Sequence, residues 1–341
     1  MTRPQIDERL RRILKFVVES HVQSAEPVGS QYVRAAYYLS ISPATIRGAM
    51  QRLESLGLLD HPHTSAGRVP TESGYRYYVD DLMVPEELSA ATRRAVDAAL
   101  EHGEEQGVGP DAAATHALAR ISRQLALLAS RPGPAGPIER VELVRLPSGY
   151  TLLAIGGVDG EPPTTSWRAE PAWDAALLSR GESWIRARLP LAGPREMRAL
   201  AASLPPDLDG GLAALLSDAL ERGARLLEAL EAPAVRIDGA EHIARQPEFQ
   251  SAERLRALVT LLAERDRISR VLEPAAGSPG VRITIGRENG PGAMGGCSVV
   301  AAGIDRSGLT GSLAVLGPVR MPYARLVSLV RFVRGRLSER S

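Results

Sequence analysis

At 341 residues the chain is long enough for two or three domains of roughly 100–200 residues each, and a hydrophobic share of 44% is enough to give them ordinary globular cores. Forty-one basic side chains against 40 acidic ones leave a net charge of +1, so no overall field draws the chain to nucleic acid or membrane, and any basic surface must be local. A single cysteine, Cys297, excludes a disulfide framework and a zinc ribbon.

No apolar signal core follows Arg3, Asp7, Glu8 and Arg9, and no uncharged run approaches the ~18 residues of a membrane span, so a cytoplasmic chain is expected. Leu10, Ile13, Leu14, Val17, Val18 and Val22 line one face of a first helix over 5–24. "AEPVGS" (25–30) is a turn, and Ser30 is placed to cap a short second helix through Tyr32, Val33, Ala36 and Tyr37. A third helix occupies 42–57, with Ser42 as N-cap and Pro43 at the first helical position, where a missing N–H costs nothing. Ile46, Ala49, Met50, Leu53 and Leu56 form its buried stripe, and Gly57 stops it. "LLDH" (58–61) and "GRVP" (67–70) read as arms of a hairpin with "PHTSA" at the tip, and Thr71 caps a fourth helix that ends before Pro85. Residues 1–84 thus make a plausible domain by themselves.

Residues 85–130 read as a helical connector, with Leu118, Ile121, Leu125 and Leu128 in register. "SRPGPAGP" (130–137) interrupts it, and "VELVRL" with "YTLLAI" suggests a hairpin. From about 160 to 232 the chain is rich in Ala and Leu and reads as helices. "AVRID" (234–238) returns to strand character, 251–272 reads as one amphipathic helix, and strands follow at 281–286, 297–304 and 309–317 before a helix at 323–337. The fold class is α+β: an N-terminal helix-turn-helix, then an α+β domain over 131–341 interrupted by an inserted helical segment at about 160–232.

The helix-turn-helix carries the function. In that motif the second helix of the pair enters the major groove, and its N-terminal residues reach base edges. Here the outward set is Ser42, Ala44, Thr45, Arg47, Gln51 and Arg52. Arginine binds guanine bidentately, glutamine does so for adenine, threonine meets a thymine methyl, and the helix start with Ser42 favours a phosphate. The hairpin offers His63, Thr64, Ser65 and Arg68 to the DNA backbone or minor groove. A merely solvated surface helix would have the same amphipathic stripe, but not the three-helix spacing followed at once by a polar-tipped hairpin. Residues 1–83 hold ten basic and nine acidic side chains, so useful affinity needs a homodimer.

"EPVGS", "SPATIRGAMQRLESLGLLDHPHTSAGRVPTESGYRYYVDDLM", "CSVVAAGI" and "LGPVRMPYARLVSLV" together resemble the HrcA-type heat-inducible transcription repressors, over most of the chain and most densely at 25–83 and 281–332. The resemblance implies an N-terminal winged helix, a GAF-like domain and an inserted helical segment that mediates dimerisation. It also implies repression of chaperone operons through an inverted-repeat operator in double-stranded DNA, release on heat stress, and a GroEL-type chaperonin that maintains activity. One departure stands out: the family pattern carries Asn-Glu after Ile-Arg, where this chain has Gly48 and Ala49.

Other chemistry is thin. His61 and His63 are spaced as a metal pair without a third ligand, so no metal is expected. "GRENGPGAMGG" (286–296) lacks the ending of a phosphate loop and reads as a hairpin loop. Cys297 opens an apolar strand and reads as a buried small residue. Tyr75, Tyr77 and Tyr78 read as core packing rather than base stacking, and Arg325, Arg331, Arg334 and Arg336 as a solvated rim. No nucleophile–base set or carboxylate pair is legible, so neither an enzyme nor a cofactor is expected. The alternative kept open is a ligand-sensing regulator whose GAF-like domain takes a small metabolite.

Overall fold

The computed structural model describes residues 4–37, 41–62, 67–132, 137–156, 162–168, 170, 173–231, 234–276, 278–306 and 309–339. They gather into two compact units, one of residues 1–130 and 234–341, the other of residues 131–233.

The first unit opens with α1 (Glu8–Ser24), capped where the Asp7 carboxylate accepts from the Leu10 N–H at 2.8 Å. Helices α2 (Ser30–Ala36) and α3 (Pro43–Ser55) follow, and strands β1 (Leu59–Asp60) and β2 (Val69–Pro70) pair antiparallel. Gly29, not Ser30, stands at the N-cap of α2; Ser30 already lies inside the helix and makes no cap bond. Ile13, Val17, Val18, Val33, Ile46 and Leu53 are fully buried and hold the three helices together. Gly57 takes the left-handed conformation (φ +71°) that turns the chain from α3 into β1. Helix α4 (Glu72–Tyr77), capped by Thr71, widens into a π turn over Tyr78–Leu82. It passes so close to the ladder that a Cβ at Gly74 would stand 2.0 Å from the Leu58 carbonyl oxygen.

Helices α5 (Ala90–Glu105) and α6 (Pro110–Ser122) lead into strand β3 (Leu125–Pro132). The helical register expected through Leu125 and Leu128 is therefore corrected: Arg123 at φ +55° ends α6, and "LALLAS" is a strand. Its continuous apolar run has a physical cause, since both of its faces are covered. Ala126 and Leu128 join the core on one face of the sheet, and Leu125, Leu127 and Ala129 the core on the other.

The second unit holds β4 (Arg140–Arg145), β5 (Tyr150–Gly156) and β6 (Thr164–Arg168) as one antiparallel sheet, with α7 (Ala175–Arg186), α8 (Pro194–Ala202) and α9 (Gly210–Glu231). Val141, Leu143, Leu153, Ile155 and Trp167 share its core with Leu215, Leu216 and Leu220 of α9. This unit begins at Arg131, earlier than the limit of about 160 drawn from Ala and Leu content, and it includes a strand that such a composition hid.

Back in the first unit come β7 (Ala234–Asp238), α10 (Ala240–Ala244), α11 (Ala252–Ala263), α12 (Arg265–Leu272), β8 (Val281–Ile285), β9 (Cys297–Arg306), β10 (Leu309–Pro318) and α13 (Tyr323–Glu339). The single helix expected over 251–272 is two, broken at Glu264 where ψ reaches 66°. Strand order is β7-β3-β10-β9-β8, with β7 antiparallel to β3 and β9 antiparallel to both β8 and β10. Helices α5, α6 and α13 share the core on one face of this sheet, and α11 and α12 the core on the other. The chain is thus mixed α+β.

Candidate nucleic-acid interface

Helix α3 is held at its start by Ser42, whose hydroxyl accepts the Thr45 N–H at 3.1 Å and lies 3.0 Å from the Thr45 hydroxyl. Pro43 sits in the first turn. Ile46, Ala49, Met50 and Leu53 are buried, and this stripe fixes the rotation of the helix. Rotation then decides what is presented: Ser42, Ala44, Thr45, Arg47, Gly48, Gln51 and Arg52 are all exposed. Neither Arg47 nor Arg52 makes a side-chain ion pair or hydrogen bond with a described residue. Gly48 leaves open space where a side chain would stand, whereas Ala49 belongs to the buried stripe and is not on the outward face.

Arg68 behaves differently from its neighbours on the expected site. Its side chain is only 14% exposed, its Nε donates to Glu54 Oε2 of α3 at 2.7 Å, and its Nη1 reaches the Gly67 carbonyl at 3.3 Å. Its backbone exchanges both hydrogen bonds with Val28, at 2.9 and 3.0 Å. Arg68 therefore clamps the second arm onto α3 and onto the turn after α1, rather than reaching outward. His63, Thr64 and Ser65 lie outside the described residues. His61 Nδ1 stands 3.0 Å from Arg68 Nη1 and 3.1 Å from the Gly67 carbonyl.

Gln31, Tyr32 and Arg34 of α2, the helix that precedes α3, are also exposed; the sequence names Tyr32 only as part of that helix, and none of the three is among the expected DNA contacts. Tyr32 is 50% exposed and stands off the buried Val33, an orientation that seven helical residues are too few to reveal by periodicity.

The remaining candidates resolve as structure. Tyr75, Tyr77 and Tyr78 are buried. Burial pushes the Cys297 thiol up to about 12, which leaves it unreactive near neutral pH. The glycine-rich loop before β9 closes on Asn289, whose Nδ2 donates to the carbonyls of Gly286 (3.2 Å) and Cys297 (2.8 Å). On α13, Arg336 pairs with Asp97 at 2.9 Å and Arg334 donates to the Pro279 carbonyl at 2.8 Å, so two arginines of the expected rim are held. Among the described residues no group of His, Cys, Asp and Glu is arranged to hold a metal ion, and no helix is long and apolar enough to cross a membrane.

Comparison with known proteins gives this geometry its context. The family model of the HrcA protein C terminal domain matches residues 112–327. The heat-inducible transcription repressor HrcA of Carboxydothermus hydrogenoformans is 33% identical, across 98% of each chain. That of Chlorobium chlorochromatii is 32% identical across 98% of this chain and 97% of its own. A crystal structure of a hypothetical protein matches 98% of both chains with a TM-score of 0.58 at 23% identity, a likeness of fold. These matches define a transcription repressor rather than an enzyme, and a repressor that binds DNA. The chain belongs to the HrcA family of heat-inducible transcription repressors.

Proposed function

We propose that the chain represses chaperone operons by binding an inverted-repeat operator as a homodimer, each protomer laying the N-terminal half of α3 in one major groove. The observation that carries this reading is the outward face of α3, where Thr45, Arg47, Gln51 and Arg52 are exposed and both arginines lack a partner among the described residues. In this winged-helix reading Arg47 and Gln51 address base edges, while Ser42, Arg52 and the α2 residues Tyr32 and Arg34 address phosphates. His63, Thr64 and Ser65 are assigned to the DNA backbone on their polar chemistry alone. Arg68 acts at one remove, by fixing the arm that carries them. The near balance of charge in residues 1–83 makes a single module a weak binder, so two-fold symmetry of protein and operator supplies the affinity. The second unit serves as the dimerising insertion. Heat release follows when a GroEL-type chaperonin, occupied by unfolded clients, no longer maintains the active dimer.

The test is a gel-shift titration of the full chain against a chaperone-promoter inverted repeat and a scrambled duplex, at about 50 and about 200 mM salt. Selective binding with one dimer per site is expected. Equal, salt-sensitive binding to both duplexes would overturn the operator reading and leave a non-specific DNA binder. If the purified repressor stayed dimeric and DNA-competent through heating, and refolded without chaperonin, the release mechanism would fail.

A further inference from the structure

A cavity of about 920 Å³ lies inside the first unit, where α1, β2 and α4 face α11 and the turn after β10. Its lining is mostly apolar, with Val69, Pro70, Phe249, Ala257, Leu258 and Val319 along the wall. The charged side chains around it are either spent or exposed to water. Arg320 places Nε on Glu248 Oε1 at 2.7 Å and Nη1 on the Val22 carbonyl at 2.8 Å, so that acid and base cancel. Glu72 lies against Gly286, where a Cβ would stand 2.5 Å from its Oε1, and its carboxylate accepts the Arg287 N–H at 3.3 Å. Glu253 and Arg254 are exposed, and Arg254 Nη1 donates to the Glu248 carbonyl at 3.1 Å. One polar group of the lining is left over. His21 Nδ1 lies 2.7 Å from the Tyr75 hydroxyl, whereas its Nε2 makes no hydrogen bond with a described residue. Burial, followed by the nearby Arg320 charge, lowers the pKa of this ring to about 4, so it is neutral at pH 7.

We propose that this cavity is a binding site for a small, neutral, apolar hydroxy compound, its hydrocarbon body lying along Val69, Pro70 and Leu258 and its hydroxyl hydrogen-bonded to His21 Nε2. Size, wall and polar group agree on that class. The volume falls within the roughly 300–1,000 Å³ of small-molecule sites, which are mostly apolar with a few placed polar groups. A hydroxyl suits either tautomer of the ring, because it both donates and accepts. A wholly apolar molecule would cover Nε2 without giving it a partner. A carboxylate or an ammonium would lose its hydration against the apolar wall, and an ion pair with exposed Arg254 or Glu253 returns little of that cost. The two sides of the cavity also belong to different parts of the unit. His21, Val69 and Tyr75 stand on the N-terminal elements that carry α3, whereas Phe249, Leu258 and Val319 belong to the α+β layer. An occupant touching both stabilises one placement of α3 over others, which makes it an effector of DNA binding. The effector role rests on the DNA-binding reading above; the binding itself does not.

Isothermal calorimetry on the full chain at neutral pH tests the site, with phenethyl alcohol as the probe and phenethylamine and hydrocinnamate as its charged counterparts. Saturable binding of the alcohol is expected, with the amine and the acid at least about tenfold weaker. His21→Phe, which keeps a ring but removes the hydrogen bond, should weaken the alcohol about fivefold. Ala257→Phe, which fills the cavity and leaves His21 in place, should weaken it at least about tenfold, and Asp207→Asn in the second unit should leave it unchanged. No alcohol binding at about 10 mM, or full binding in both cavity variants, would overturn the site. Equal or tighter binding of the acid would move the head group to Arg254, and of the amine to the carboxylates; either overturns the neutral class. A gel shift at saturating alcohol then addresses the effector role: operator affinity should move at least about threefold. Unchanged affinity with intact calorimetric binding overturns that role alone. Alcohol binding by a chain that binds no operator overturns the DNA reading and leaves the site standing.

Discussion

The N-terminal helices and the layer beneath them use arginine in opposite ways. On α3, Arg47 and Arg52 project into solvent with no partner among the described residues. Where α1 and α4 meet the α+β layer, arginine is spent on acceptors. Arg320 grips Glu248 and the last turn of α1, and Arg76 of α4 donates to both carboxylate oxygens of Glu288 and to the Ile283 carbonyl at 2.9 Å. The planar guanidinium suits both tasks, since the same fork that satisfies a carboxylate satisfies a phosphate or a guanine edge. What separates an arginine that builds the fold from one that is available to a partner is whether its donors are already bound. A chain with one lysine and forty arginines conceals that distinction at the level of composition.

The largest effect expected from breaking the contrast is at Arg320. Its side chain is 13% exposed, and Arg320→Ala would strand Glu248 and the Val22 carbonyl without their donor. Removing one partner of a mostly buried pair costs about 3 kcal/mol. Urea unfolding should show that loss, while Arg52→Ala should stay within about 0.5 kcal/mol of the parent. Equal stability of the two variants would erase the division between bound and available arginine.

Arg47→Ala should reverse the pattern: stability nearly unchanged, operator affinity reduced by about 1–3 kcal/mol, and preference relaxed at one base position if Arg47 reads guanine. Competition gel shifts over single-base operator variants resolve this. A uniform loss on every sequence would make Arg47 a phosphate anchor.

Much of this arrangement was legible in the sequence, and where it was not the reasons are physical. Ser42, Pro43 and the stripe Ile46–Ala49–Met50–Leu53 define α3 through local capping and a 3.6-residue period, both visible in one dimension. Leu125 and Leu128 fit a helical register in the sequence because a strand buried on both faces has no alternation to reveal it. Arg123 gave no warning either, since a non-glycine residue in the left-handed region carries no compositional mark. The inward turn of Arg68 is invisible in the sequence because its partner, Glu54, lies 14 residues away on another element, and long-range pairing has no sequence period.

The bound side of the contrast also has a pH signature, carried by His21. In the unfolded chain this ring titrates near 6.5; in the fold, burial first and the Arg320 charge second lower it to about 4. The unfolded state therefore binds more protons between those values, so the stability tied to the neutral ring is whole above pH 6.5 and drains away as pH falls toward 4. His21→Gln keeps a hydrogen-bonding group beside Tyr75 but removes the titration. Urea midpoints at about pH 7 and about pH 4.5 should drop less in the variant than in the parent. An equal drop would assign the acid sensitivity to other groups.

The smallest expected effect lies on the available side, at Gly48. It sits in the interior of α3 on the exposed face, and a Cβ built there meets nothing within 4 Å. Gly48→Ala should therefore stabilise the helix by up to about 1 kcal/mol, because glycine loses more backbone freedom on folding than alanine and gains nothing in return at this position. Thermal unfolding of the full chain measures the gain. The same variant probes how closely the duplex approaches α3, since a methyl group adds bulk without adding a charge or a hydrogen bond. With Arg47 and Gln51 as the reading side chains, operator affinity should be unchanged. A variant that is more stable yet binds DNA more weakly would mean that the duplex packs against bare backbone at Gly48, and that the recognition face owes as much to the side chain it lacks as to the arginine beside it.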